Sequence, residues 1–118
     1  MEKSKSFEDV LLWQKAHKFV LSIYKMTADF PKSEIYGLTS QIRRAAVSIP
    51  ANFAEGFQKK SNSEKLRYYN IAQGSINETK YYLILILDLN YFDTKILIEE
   101  LKEIGKMLSS YMNAIKNY

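Results

Sequence analysis

One stretch, residues 36–57, constrains the fold most strongly, because it keeps a helical pattern through an internal proline. A proline inside a helix lacks an N–H donor and its ring clashes with the preceding turn, which costs about 3 kcal/mol. The pattern therefore predicts an amphipathic helix that is kinked at Pro50. At about 100° per residue, one face collects the apolar and small side chains Leu38, Ile42, Ala45, Ala46, Ile49, Phe53 and Gly56.

Apolar residues at helical spacing predict three further helices. The first is expected over residues 7–29, with Ser6 as its cap and Pro31 beyond its end. The third begins near Asn62, behind a capping box of Ser61 and Glu64, and reaches residue 89 or 90. The fourth starts after Asp93, which caps it. Its packing seam is Leu97, Leu101, Ile104, Leu108, Tyr111 and Ile115.

The connections between these helices are short, which favours antiparallel neighbours. We therefore expect one domain over residues 1–118. Its predicted architecture is all-α, an antiparallel up-down-up-down four-helix bundle with a proline-kinked second helix.

The run YYLILIL at residues 81–87 is apolar on every side of a helix. A single bundle covers one broad face of each helix, so this run predicts a second contact surface. Another copy of the chain is the simplest partner. The predicted oligomer-interface residues are Tyr81, Tyr82, Ile84 and Ile86.

The net charge of +4 is concentrated between residues 36 and 77, which hold six basic and two acidic side chains. This distribution permits an anionic partner such as RNA. Lysines attract phosphate and exposed tyrosines stack on bases, so Tyr68 and Tyr69 strengthen the case near the second connection. A solubilising loop with both tyrosines in the core explains the same residues. The predicted nucleic-acid-binding residues are Arg43, Arg44, Lys59, Lys60, Lys65 and Arg67.

A polar stripe runs along the second helix opposite its apolar face. We favour a structural polar network between helices or subunits, in which Ser48 or Asn52 satisfies carbonyl groups freed by Pro50. Contact with RNA phosphate or a protein partner is the alternative, and the acid in the stripe would repel phosphate. The stripe consists of Arg44, Ser48, Asn52 and Glu55.

No pattern typical of a catalytic or metal site occurs in the sequence. His17 is the only histidine, which excludes the two Glu-x-x-His pairs of di-metal bundles, and no pattern places a nucleophile and an orienting acid beside it. The four glycines are scattered, so no phosphate-binding loop is present. We expect no enzymatic activity, no metal and no cofactor.

The composition also bears on the compartment. The sequence has no cysteine, which suits a reducing cytoplasm. Its N-terminus lacks the apolar core of a signal peptide, and its longest apolar run is far shorter than the ~20 residues of a membrane span. We expect a cytoplasmic protein without membrane contact.

The run GLTSQIRRAAVSIPANFAEG resembles the signature of the 23S ribosomal RNA intervening-sequence proteins, also called the S23 family. SFEDVLLWQKAHKFVLSIYKMT is similar to the first helix of that family, and YYNIAQGSINE to the core of its third. The resemblance implies a four-helix bundle that assembles as a homopentamer and associates with RNA, without a catalytic site. The chain departs from the family at Lys80 and Tyr82, where acidic and polar residues are common.

These patterns together favour a non-catalytic, oligomeric helical scaffold that contacts RNA or a ribonucleoprotein through a basic surface. The alternative is a protein-interaction module with no direct nucleic-acid role. A small-molecule-binding bundle has only the aromatic content of 14% in its favour, and core packing explains that content better.

Overall fold

Residues 5–117, the part of the chain that the computed structural model describes, form four α-helices and contain no strand. The all-α prediction is confirmed. None of the helices in this range is long and apolar enough to cross a bilayer. The helices are α1 (Leu11–Thr27), α2 (Ser40–Phe57), α3 (Asn62–Asp88) and α4 (Lys95–Lys116).

Each helix packs against the next one along the chain, and α1 also packs against α4. Their inner faces form one continuous hydrophobic cluster. The contact between α2 and α3 is the most extensive. Ala46 and Ala72 are fully buried, and such small side chains allow helix backbones to approach closely.

The first helix begins later than the sequence predicts. The Ser6 hydroxyl accepts a hydrogen bond from the Glu8 backbone N–H at 3.2 Å, as a cap does. The turn that it caps, Phe7–Asp9, is a short 3-10 helix, and Val10 behind it is extended (φ −86°, ψ 125°). The extended residue separates this turn from α1, which therefore starts at Leu11.

The second helix also starts later, because a π-helical turn at Ile35–Thr39 precedes it. Gly37 within this turn has non-helical angles (φ −113°, ψ −112°). From Ser40–Phe57 the helix is continuous through Pro50, which is buried. All seven residues of the predicted apolar face are buried, so this part of the prediction is confirmed.

The start of α3 is confirmed, since the Glu64 backbone N–H donates to the Ser61 hydroxyl at 3.2 Å. The helix ends at Asp88. Asn90 adopts a left-handed conformation (φ 61°), which shorter polar side chains tolerate better than most, and the chain turns there.

The start of α4 is held by two adjacent residues. Asp93, the predicted cap, accepts a hydrogen bond from the Lys95 backbone N–H at 3.2 Å, but the cap position itself is one residue later, at Thr94. The buried Thr94 hydroxyl donates to the Leu83 carbonyl at 2.7 Å, which ties the turn to α3. The seam of α4 is buried through Leu108, whereas Met112 takes the last buried position and the predicted Tyr111 is half-buried.

Candidate nucleic-acid interface and oligomer surface

Two cations of the α2–α3 junction lie against one tyrosine ring. The Lys59 ammonium is 5.2 Å from the centroid of the Tyr68 ring, and the Arg67 guanidinium is 4.8 Å from it. Arg67 also donates to the Tyr68 hydroxyl at 3.4 Å. Lys60 beside them is exposed. We call Lys59, Lys60, Arg67 and Tyr68 the cationic cluster.

The cationic cluster forms because α2 ends at Phe57 and α3 begins at Asn62. The short connection places the end of one helix beside the first turns of the next. Each cation–ring contact is worth about 0.5–1 kcal/mol where it is exposed. The half-buried Tyr68 ring therefore already carries cations of its own, and a base that stacks on it must share or displace them.

Lys65 lies at the same junction but serves a different purpose. Its ammonium donates to the Phe57 carbonyl at 2.6 Å and contacts the Gly56 carbonyl at 3.4 Å. These carbonyls belong to the last turn of α2, so Lys65 caps that helix. Partial desolvation lowers the pKa of Lys65. With its charge turned toward the chain, Lys65 is a weaker candidate for a phosphate contact than the sequence predicts.

Tyr69 belongs to the core. Its ring is fully buried and stacks on Phe53 with centroids 5.1 Å apart. Tyr111 meets it edge-on at 5.7 Å. Burial raises the pKa of Tyr69, and the neighbouring Tyr111 adds to the shift. Of the two tyrosines that the sequence places near the junction, only Tyr68 therefore remains accessible to a ligand.

Arg43 is bonded within the chain. Its Nε donates to the Thr27 hydroxyl at 2.8 Å, and its Nη2 donates to the Tyr24 carbonyl at 3.3 Å. Its guanidinium also lies 4.5 Å from the Tyr24 ring centroid. Arg43 thus joins α2 to the last turn of α1, where the Tyr24 carbonyl also accepts the Ala28 backbone N–H at 3.1 Å.

Arg44 is exposed and donates to Gln41 on its own helix. The rise of an α-helix places it about 20 Å from Lys59 along the chain. The six predicted nucleic-acid-binding residues therefore do not form one surface. Lys59, Lys60 and Arg67 come together, whereas the two adjacent arginines of α2 lie elsewhere.

The residues of the predicted polar stripe likewise do not form one group. The Asn52 amide donates to the Ser48 carbonyl at 2.9 Å and to its hydroxyl at 2.8 Å. Ser75 of α3, a residue absent from the prediction, places its hydroxyl 2.8 Å from that of Ser48. Glu55 instead pairs with Lys59 at 3.9 Å.

A polar bridge between α2 and α3 thus exists, and it consists of Ser48, Asn52 and Ser75. Ser75 is buried among apolar neighbours on the inner face of α3. A polar residue at a position of the apolar pattern is the sequence signal that could have identified it, because buried hydroxyls need partners.

The predicted oligomer-interface residues differ in exposure. Tyr81 is 60% exposed and Ile84 40%, and Tyr82 is half-buried with its hydroxyl donating to Glu78. Ile86 is fully buried in the core of the single chain, as is Leu83. The prediction was therefore wrong for Ile86, because α3 packs that side against its neighbours and leaves nothing there for a second copy to contact.

The described residues offer no metal centre, since no three His, Asp or Glu side chains within residues 5–117 are placed to hold an ion. His17 is exposed and stacks on Trp13, with ring centroids 5.0 Å apart.

The chain is similar to proteins of one family. The model of one protein family, described as 23S rRNA-intervening sequence protein, matches residues 8–110. A similar solved structure is that of a protein with unknown function from the S23 ribosomal protein family of Bacteroides thetaiotaomicron. It shares 28% sequence identity and a TM-score of 0.78, over 86% of this chain and 98% of that chain. No curated protein matches the chain.

Proposed function

The chain belongs to the 23S rRNA-intervening sequence protein family, and we propose that it is a non-catalytic, oligomeric helical scaffold that binds RNA. The solved relative is itself described as a protein of unknown function. The single observation that carries the RNA partner is the cationic cluster, in which Lys59 and Arg67 meet at Tyr68 beside the exposed Lys60. Lysines and arginines attract the phosphate backbone regardless of sequence.

The proposal includes an antiparallel, up-down-up-down order of the helices. It is supported by the packing of each helix against its neighbour in sequence and by connections shorter than the helices they join. It also includes a kink in α2 at Pro50. Its support is that proline offers no N–H to the carbonyl of Ala46 and crowds that turn.

Self-association is the second part of the proposal, and the resemblance to the S23 family implies a pentamer. The exposed Tyr81 and Ile84 on the outer face of α3 support a contact between copies. Five copies would repeat the cationic cluster, and linked copies bind a long polyanion far more tightly than one copy does.

The RNA partner is tested by fluorescence anisotropy with a labelled ribosomal RNA fragment and an unrelated RNA of equal length, over a series of salt concentrations. We expect the logarithm of the affinity to fall linearly with the logarithm of the salt concentration. The double variant Lys59→Glu/Lys60→Glu should bind both RNAs more weakly. Each lost phosphate contact should also reduce the salt slope by about 1.

The matched control is Lys18→Glu/Lys106→Glu, which changes the net charge equally at exposed positions outside the junction. Equal losses in the two double variants would mean that net charge alone acts, and the cationic cluster would be excluded as the site. Absence of binding by the wild-type protein at low salt would overturn the RNA proposal and favour a protein-interaction module.

A further inference from the structure

A groove of about 650 Å³ lies between the end of α1 and the turn that leads into α4. Its volume falls within the range of about 300–1,000 Å³ that is usual for ligand sites. The apolar side chains that line it are Met26, Phe30, Tyr91, Phe92, Ile96 and Leu97.

The floor of the groove is fixed by contacts within the chain. The Phe30 and Tyr91 rings are 5.5 Å apart, and the Tyr91 hydroxyl donates to Glu34 at 3.0 Å. The rim, by contrast, is left uncovered: Phe92 is 48% exposed and Ile96 75%. The groove therefore offers apolar surface on a preformed base, and binding to a preformed base costs less ordering.

The groove is lined by more acidic than basic residues, whereas the whole protein carries a positive net charge. Asp29 and Asp93 line the groove, and among residues 5–117 Lys25 is the single basic residue that does so. The salt bridges within residues 5–117 involve other acids, so neither aspartate is neutralised by an ion pair there. On a chain of net charge +4, this is a site with an excess of negative charge.

We propose that the groove docks a short segment of a partner protein in which an apolar side chain is flanked by Lys or Arg. The apolar side chain covers Phe92 and Ile96, and the cation faces Asp29 and Asp93. Burial of apolar area supplies the affinity, and the opposite charges set orientation and partner choice. Phosphate groups are repelled by the same aspartates, which argues against RNA as the occupant.

This inference is independent of RNA binding. The cationic cluster lies at the start of α3, and the groove lies beyond its end. A helix of 27 residues is about 40 Å long, so the two surfaces lie at opposite ends of α3. A variant can therefore remove one surface and leave the other unchanged.

The test is selection of a random twelve-residue peptide library, displayed on phage, against the wild-type protein. We expect the enriched peptides to share an apolar residue next to Lys or Arg. A synthetic fluorescent copy of an enriched peptide is then titrated against two variants. Phe92→Ser/Ile96→Ser should weaken it at least about tenfold, and Asp29→Asn/Asp93→Asn should weaken it and flatten its salt dependence.

These substitutions are chosen to leave the fold intact. Phe92 and Ile96 are exposed, and asparagine can replace Asp93 as a helix cap. The control is Ile71→Ser, at an exposed position of α3 outside the groove, which should bind the peptide as the wild type does. Thermal melts of all variants check folding.

The proposal is wrong if no enriched peptide depends on Phe92 and Ile96, or if exchanging Lys for Glu in the peptide leaves its affinity unchanged. It is also wrong if Phe92→Ser/Ile96→Ser changes the mass of the assembly while peptide binding persists, since the groove would then be a contact between copies. RNA affinity of the same variant should equal that of the wild type, so failure here and failure of RNA binding are distinguishable.

Discussion

At Gly56, α2 lies so close to α3 that there is no room for a side chain. A Cβ atom at this position would lie 2.7 Å from Cε1 of Tyr69 and 3.0 Å from Cβ of Tyr68. Real side chains do not tolerate such distances, and the Tyr69 ring cannot swing away because it is fully buried against Phe53. The glycine is required here by packing, not by backbone conformation.

We expect Gly56→Ala to lower the free energy of unfolding by about 1–3 kcal/mol, the usual cost of overpacking. Chemical denaturation followed by circular dichroism measures it. The control is Gly105→Ala in α4, where the new Cβ would meet Ile76 at an ordinary 3.7 Å. Alanine is the better helix former, so the control should gain up to about 1 kcal/mol. Equal effects in the two variants would contradict the close approach.

One buried and one half-buried phenol predict that the protein loses stability in alkali. Burial raises the pKa of both Tyr69 and Tyr111. In the unfolded chain these groups ionise near pH 10, so above that pH the unfolded state has released protons that the folded state retains. The free energy of unfolding should therefore be unaffected by these groups below pH 10 and fall as the pH rises above it.

The measurement is thermal unfolding between pH 8 and 11.5 for the wild type and Tyr69→Phe. The variant lacks one of the two phenols, so its melting temperature should fall less steeply above pH 10. Parallel curves for the two proteins would show that Tyr69 does not cause the loss.

Lys65 and Ile86 show how far the environment of a single residue can be predicted from the sequence. A lysine in a basic, polar stretch predicts a solvated charge, yet Lys65 turns back onto the carbonyls that end α2. Ile86 belongs to a run that is apolar on all sides, and only the packing of neighbouring helices decides which members are covered. Both outcomes depend on tertiary contacts that local pattern does not encode.

At the level of elements, the signals with a local cause were reliable. Ser61 caps α3 as predicted, because a cap needs only residues a few positions away, and the predicted cap Asp93 lies one residue before the cap position of α4. The start of α1 and the π-helical turn before α2 were missed. Val10 is extended and Gly37 has non-helical angles, so each interrupts regular helix at a place where the apolar spacing alone predicts none.

The cap of α3 provides a prediction at this scale. Ser61→Ala removes the hydroxyl that accepts the Glu64 N–H, and we expect a loss of about 1 kcal/mol in the free energy of unfolding. Ser110→Ala, at an exposed position inside α4, is the matched control and should be neutral or slightly stabilising. Denaturant midpoints measure both. A neutral Ser61→Ala would mean that water replaces the hydroxyl at no cost.

At the scale of the whole molecule, the exposed Tyr81 and Ile84 on the outer face of α3 provide a test of the proposed self-association. Light scattering coupled to size exclusion should give a multiple of the 13.8 kDa chain mass, and five copies if the S23 family pattern holds. Tyr81→Glu/Ile84→Glu should shift the protein toward a single copy, because charges buried at a contact are costly.

Ile71→Glu, on another exposed part of α3, should keep the mass of the wild type. A wild-type protein that stays at one chain mass at high concentration would remove the oligomeric part of the proposed scaffold. The sequence anticipated apolar surface on α3 and included the exposed Tyr81 and Ile84 in it, whereas the burial of Ile86 followed only from the structure.

The close contact at Gly56 also has a consequence for the proposed RNA site at the junction. Because Tyr69 fixes the distance between the end of α2 and the start of α3, Lys59 and Arg67 are positioned before any polyanion arrives. Binding of a nucleic acid there would immobilise few additional side chains and bury little apolar surface. Calorimetry should then record a favourable entropy from displaced counterions together with a heat-capacity change near zero.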